Sequence, residues 1–490
     1  NNMKKVYHIL FIFTTVCLWS SCANLDLDPL DTGSRDSWYS SEDEIQRSIG
    51  GLYRTVFFTL NGNESTIDYS PWSDDNQSRA SLNFITGGTI NGESDQVKKR
   101  WQNGYKAIAR ANILLEKLED ANSVGISEEK KQLYRAQTLF VRATQYAILT
   151  SLFGDVVYID KEISIDEAFE MGRTDREEVM ENVYKDLDEA AHYLPETYGT
   201  QREFATKGAA YAIKARYALY NEDWELAAQA AKKCMDLQIY ELHPDFEELF
   251  IASTHHAKEN ILSWPRSVEL KNYLDVGAAM SYCPRNRGGY ASEYPSWELF
   301  CSFLCTDGLP IDESPLFDPQ NPFKNRDPRC TATIVEFGTE HVGVIYNPNP
   351  NISRVWSAIA GKEITNLDCK TGSQYASYNG LLRKKGVDEL WINDGTFKVD
   401  PDFVFIRYGE VLLTYAEAKI EANDIDQSVL DAINQVRARA YKKDYAAATG
   451  YPKVTTQDRD KLRQIVRIER RMELAFEGSI RSVSYTHLTL

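Results

Sequence analysis

Between Thr206 and Leu237 alanine recurs at positions 209, 210, 212, 215 and 218, and again at 227, 228, 230 and 231. Thr206 reads as the N-cap of a helix over residues 207–220, residues 221–223 as a short turn, and residues 224–237 as the return helix. Small side chains let two helix axes approach closely. A hairpin built this way keeps an apolar face that it cannot bury alone, so it must stack on neighbours. The chain is therefore expected to be a helical array and not a sheet-based fold. An unrelated helical hairpin is the competing reading, and a second pair over residues 403–421 and 429–441 argues against it.

The remaining periodicity agrees. Ser41 and Glu44 form a capping box ahead of Ile45, Ile49 and Leu52. Residues 101–118 are amphipathic, residues 131–153 form a long helix closed by Gly154, and Thr174 with Glu177 reads as a second capping box for a helix ending before Pro195. A last helix spans residues 457–476. Small residues at fixed places with aromatics between them are the device of tetratricopeptide-like helix pairs. The predicted class is all-α, with helical repeat elements mainly over 42–242 and 403–478. Residues 243–402 are rich in Pro, Gly, Asn and aromatics and poor in helical period. A structureless loop of that length is improbable in a compact domain. Short helices and small strands packed on the repeat are expected there, within one unit over 23–478.

Length and charge exclude several classes. A chain of 490 residues has ample core, and a net charge of -17 argues against nucleic acid and against a basic membrane-surface patch. Lys4 and Lys5, the apolar run Val6–Leu18, and Ser20 and Ser21 before Cys22 have the order of a secretory signal. The apolar run is shorter than the roughly 20 residues that a spanning helix needs. Cys22 is placed for lipidation, so residues 1–22 are expected to be a signal with a lipid-bearing cysteine; an ordinary cleaved signal is the alternative. Cys234, Cys283, Cys301, Cys305, Cys330 and Cys369 have irregular spacing and read as isolated thiols. A helix would bring Cys301 and Cys305 to one face, but no His completes a zinc site, and no metal or cofactor is expected.

Seven segments in order carry a resemblance. YRAQTLFVRATQYAILTSLFGDVVYID (residues 134–160), RTDREEVMENVYKDLDEAAHYLP (173–195), residues 205–236, NRDPR (325–329), RYGEVLLTYAEA with AINQVRARA (407–418 and 432–440), and ERRMELAFEG (469–478) resemble blocks of the SusD/RagB family. The resemblance implies a lipid-anchored outer-membrane protein of the cell surface with about four tetratricopeptide-like helix pairs. It also implies a loop-rich half that holds glycan, a TonB-dependent transporter as partner, and no catalysis. After Gly478 the family continues with an Arg and an Asp-Leu-Arg-Arg-Trp-like run. SIRSVSYTHLTL (479–490) lacks it, and this tail is expected to be truncated or foreign to the domain.

A sugar offers apolar C–H faces ringed by hydroxyls, so its site wants flat exposed aromatics beside polar side chains. Two segments have that mixture. One holds Trp72, Asp74, Asp75, Asn76, Gln77 and Arg79; the other holds Arg285, Asn286, Arg287, Tyr290, Tyr294 and Trp297 around Gly288 and Gly289. The expected platform is Trp72 or one of Tyr290, Tyr294 and Trp297, with Asp75 and Asn76 on hydroxyls and Gly288 and Gly289 freeing the loop. Core packing is the alternative for each ring, and Trp356 and Trp391 are the reserve. An all-α glycoside hydrolase would need two carboxylates flanking one bond. Adjacent Asp74 and Asp75 do not supply that, and no H-E-x-x-H, G-x-S-x-G or Walker A run is present. A protein-binding scaffold is the remaining class. Glu469, Arg470, Arg471 and Glu473 read as a charged helix face with intra-helix pairs.

Overall fold

The structure, a computed structural model, describes residues 38–59, 73–79, 87–119, 125–199, 201–387 and 395–477. The expectations for Cys22, Trp72, Trp391 and the tail after Gly478 lie outside the described residues.

Nine helices of more than ten residues form the frame among the described residues: α1 (Glu42–Leu52), α2 (Asp95–Glu119), α3 (Glu128–Phe153), α4 (Arg176–Tyr193), α5 (Lys207–Tyr220), α6 (Trp224–Asp236), α7 (Tyr408–Glu421), α8 (Gln427–Ala440) and α9 (Arg459–Leu474). From α2 to α8 each packs on the next, with α6 meeting α7 across the loop-rich insertion, and α9 packs on α7. This is the stacked array that the alanine pattern demands. Ala209, Ala210, Ala212, Ala215 and Ala218 are all buried. The core helix α3 is buried at every position from Ala136 to Thr150.

Caps set the boundaries. Ser41 and Glu44 make the expected reciprocal box, and Thr206 Oγ1 accepts from Ala209 N at 3.2 Å. Gly154, at φ +70°, closes α3. At α4 the cap is Asp175, whose Oδ1 accepts from Glu177 N at 2.8 Å. Thr174 cannot serve because its backbone pairs with Val156.

Residues 403–407 are not helical. They form β8 (Phe403–Arg407), antiparallel to β2 (Asn260–Trp264). The F-V-F-I-R run is aromatic and β-branched, and it packs Phe403 and Phe405 against Trp264 at 5.6 and 6.0 Å. The loop-rich stretch holds short helices and two more sheets: β1 (Asn76–Ser78) with β3 (Glu293–Pro295), and the meander β4 (Thr339–His341), β5 (Val344–Tyr346), β6 (Arg354–Ser357) and β7 (Lys362–Thr365). The short helix Trp297–Ser302 ends before Cys305, so Cys301 is exposed and Cys305 buried; the six cysteines of the described residues are free thiols.

Glu469, Arg470 and Glu473 near the end of α9 are buried and pair with other elements, contrary to the intra-helix reading. Glu469 meets Arg437 at 2.7 Å and Arg329 at 2.8 Å; Glu473 meets Arg407 at 2.7 Å, Arg329 at 3.0 Å and also Arg439; Arg470 meets Glu417 at 3.3 Å. Asp327 holds Arg329 at 2.8 Å, and Arg407 reaches Glu259 at 2.6 Å. The NRDPR, RYGE, VRAR and ERRMEL segments thus converge on one buried ion network. Burial opposes ionisation of Glu473, and Arg439, Arg407 and Arg329 outweigh it, holding the carboxyl well below the usual range. Among the described residues no helix is long and apolar enough to cross a membrane.

Candidate functional site

The two segments singled out in the sequence are brought together by β1 and β3. Gln77 pairs with Tyr294 and Asn76 with Pro295, and the Asn76 side chain donates to Glu293 Oε2 at 2.8 Å. Alternation along β3 then sorts the rings. Tyr294 points inward and is 2% exposed, and burial pushes its hydroxyl pKa up. A ring so covered presents no face to a ligand. Tyr290 and Trp297 flank the strand and stand 41% and 38% exposed. Trp297 leans on Phe300 at 5.1 Å and donates from Nε1 to the Asn379 carbonyl at 3.2 Å.

A third segment completes the surface. Tyr375 and Tyr378 are 50% and 59% exposed. Asp368, below them, accepts from the backbone N–H of Arg285 at 2.6 Å and of Asn286 at 3.1 Å. Burial lifts its carboxyl to about 6 against those two bonds. The Asn379 amide donates to Gln77 Oε1 at 3.0 Å and to the Pro295 carbonyl at 2.7 Å. Arg79 Nη1 donates to the carbonyls of Tyr290, at 2.6 Å, and Tyr375. Four rings therefore stand on two segments that hydrogen bonds tie to each other and to β1, beside Arg79, Arg285, Lys370 and the amides of Gln77 and Asn379. The arrangement fits stacking against an apolar sugar face with polar groups at its rim.

Asp75 is elsewhere. It is 2% exposed, and its Oδ1 accepts from Arg471 Nη2 and Nε at 2.6 and 2.9 Å. Burial pushes its carboxyl up to about 6 even so, with Arg471 opposing. It is a structural anchor beneath β1 and has no oxygen to offer a hydroxyl outside. Gly289 also departs from the expectation of loop freedom. A Cβ there would lie 2.3 Å from the Cys283 carbonyl oxygen, so the residue is required by close backbone approach; Gly288, at φ +92°, does occupy the left-handed region. Trp356 is 48% exposed on β6, away from these rings in sequence.

The structure also has concavities lined by other residues. A recess of about 730 Å³ is lined by Tyr240, Tyr408, Arg439, Lys442 and Tyr445, and another of about 640 Å³ by Asp245, Glu248, Glu340, His341 and Lys384. Neither gathers as many exposed rings. Among the described residues no group of three or more His, Cys, Asp or Glu side chains could hold a metal ion. His255 pairs with Asp402.

The family model described as SusD family matches residues 264–481, and a second model, described as starch-binding associating with outer membrane, matches residues 25–219. This chain belongs to the SusD family. It is 26% identical to SusD-like protein P2 of Formosa agariphila, over 97% of this chain and 89% of that protein. A SusD-like carbohydrate binding protein of Bacteroides fragilis is 28% identical, with a TM-score of 0.77 over 92% of this chain and 86% of that one. Surface glycan-binding protein A of Bacteroides uniformis shares the fold at 17% identity and a TM-score of 0.63, over 89% and 86% of the two chains. The buried ion network and the stacked helices are thus the frame of a SusD-like protein. Its four-ring face was half legible in the sequence. Tyr375 and Tyr378 lie in GSQYASYNG, where rings among turn-forming residues are the one local signal of exposure.

Proposed function

We propose that this chain is a cell-surface glycan-binding lipoprotein, anchored in the outer membrane through Cys22. It captures oligosaccharide or polysaccharide and hands it to a TonB-dependent transporter without cleaving it. One observation carries the reading: Tyr290, Trp297, Tyr375 and Tyr378 stand exposed on interlocked segments outside the helix pairs. Helix-pair residues are committed to stacking on their neighbours, so rings free for a ligand must come from loops. The carbohydrate binding protein of Bacteroides fragilis at 28% identity and the starch-binding description over residues 25–219 support it. The expected affinity is weak to moderate, because an open face buries little area and leaves sugar hydroxyls wet.

Affinity electrophoresis against a glycan panel, paired with an assay for new reducing ends, tests the proposal. Binding that weakens in Tyr378→Ala, with no release of product, is expected. Time-dependent release abolished by removing one carboxylate would favour a hydrolase instead. A protein-binding scaffold draws its support from the recess of about 730 Å³ beside Tyr240, Tyr408 and Arg439, which α7 and α8 help to line. It gains if no glycan is retained and if Tyr445→Ala, at that recess, weakens capture of the transporter.

A further inference from the structure

We propose that the four-ring face selects anionic sugars, bearing carboxylates or sulfate esters, over neutral ones. The inference rests on the reading of this face as the glycan site. Two guanidiniums attend one ring: Arg79 and Arg285 lie 5.4 and 5.7 Å from the centroid of Tyr375. The Lys370 ammonium lies 3.5 Å from the centroid of Tyr378. A neutral sugar can accept hydrogen bonds from cations as from amides, but only a sugar that carries negative charge also gains Coulomb attraction from them. Three cations on two exposed rings are the complement of a sugar that carries negative charge.

None of the three cations forms an ion pair among the described residues. The carboxylates close by have other partners as well: Asp368 is buried, takes the backbone N–H groups of Arg285 and Asn286 and is also attracted by the Arg285 charge, and Glu293 accepts from Asn76. Arg79 commits Nη1 to two backbone carbonyls and Arg285 commits Nη1 to the Gly289 carbonyl at 2.7 Å, so both guanidiniums are held in place. A fixed planar fork suits carboxylate or sulfate oxygens. Lys370 is exposed; partial burial, and after it the charge of Arg79, lower its pKa. The surrounding chain carries a net charge of -17, so it has no general attraction for polyanions. Anion binding here would have to come from this local cluster.

Calorimetry and affinity electrophoresis test the inference. The probes are polygalacturonate and alginate as carboxylate polymers, dextran sulfate and carrageenan as sulfate esters, and dextran, starch and xylan as neutral polymers. At about 50 mM NaCl at least one charged polymer is expected to bind about tenfold more tightly than every neutral one. That advantage should shrink at about 500 mM, because exposed charges are screened. The polymer class that wins tells carboxylate from sulfate. Lys370→Gln and Arg79→Gln should each weaken the charged polymer about three- to tenfold, and Lys370→Arg should retain it. Equal binding of a neutral polymer, or charged-polymer binding unchanged in both Gln variants, overturns the inference. If a neutral glycan binds, is lost in Tyr378→Ala and ignores Lys370→Gln, the glycan site stands and the anion preference falls. If no polymer binds in a way that depends on Tyr378, both fall.

Discussion

Arg471 of the last helix donates from Nη2 and Nε to Oδ1 of Asp75, 396 positions earlier, at 2.6 and 2.9 Å. Asp75 begins the turn into β1, and β1 pairs with the strand that separates Tyr290 from Trp297. The C-terminal helix therefore contacts the turn ahead of β1 through an ion pair whose carboxylate side is buried, and packs Met472 against Leu299 and Phe300. Arg471→Ala removes the charge that opposes the effect of burial, so the carboxyl takes up a proton near neutral pH and the loss of stability should be about 1–3 kcal/mol. Urea unfolding measures it, and a loss under about 1 kcal/mol would show that the pair anchors nothing.

The same carboxyl sets a pH dependence. Its pKa is raised from 3.8 to about 6 in the folded chain, so the folded state holds the proton more tightly than the unfolded state. This group's contribution to stability is present below 3.8 and lost as pH rises through about 6. Asp75→Asn removes the titration. Its unfolding free energy minus that of the parent should rise between about pH 4 and about pH 6 and stay flat above. A falling difference over that window would mean the carboxyl is stabilised in its charged form.

The rings of the candidate site should separate into two kinds. Tyr378→Ala, at a 59% exposed residue, should leave the melting temperature nearly unchanged and weaken glycan binding by about 1–3 kcal/mol. Tyr294→Ala, at a 2% exposed residue, should cost about 3–5 kcal/mol of stability. Thermal melts with binding isotherms decide. Equal melting losses in both variants would place Tyr378 in the core and remove it from the site.

Gly289→Ala should destabilise the chain by about 1–3 kcal/mol, because the added Cβ would meet the Cys283 carbonyl oxygen and Cβ at 2.3 and 2.5 Å. The backbone must move, carrying Tyr290 with it, so weaker glycan binding should accompany the loss. A variant that melts and binds like the parent would return the loop to the flexible role expected from sequence.

Location is tested by Cys22→Ala. The acyl chains are the proposed anchor, so the variant should appear in the periplasm or medium instead of the outer-membrane fraction. Unchanged fractionation in a strain lacking the transporter would sink the lipid anchor.

Sequence alone determined the helical frame. Caps such as Ser41 and Thr206, the alanine stripe of α5 and α6, and the spacing of apolar residues act within a turn or two of helix, and that range is written directly in residue spacing. The order of the motifs settled the family for the same reason. Local pattern failed where a partner is distant. Residues 403–407 read as helix until β2, some 140 positions away, pairs with them. Glu469, Arg471 and Glu473 have helical spacing for pairs along one helix, yet their partners are Arg437, Asp75 and Arg407 on other elements. Tyr294 and Trp297 stand three residues apart in one polar-aromatic loop; only pairing with β1 turns the first inward and leaves the second out. Tyr375 and Tyr378 join them because Asn379 and Arg79 bridge segments about 300 positions apart. Exposure and charge pairing are set by which segments meet in space, and tertiary packing alone decides that.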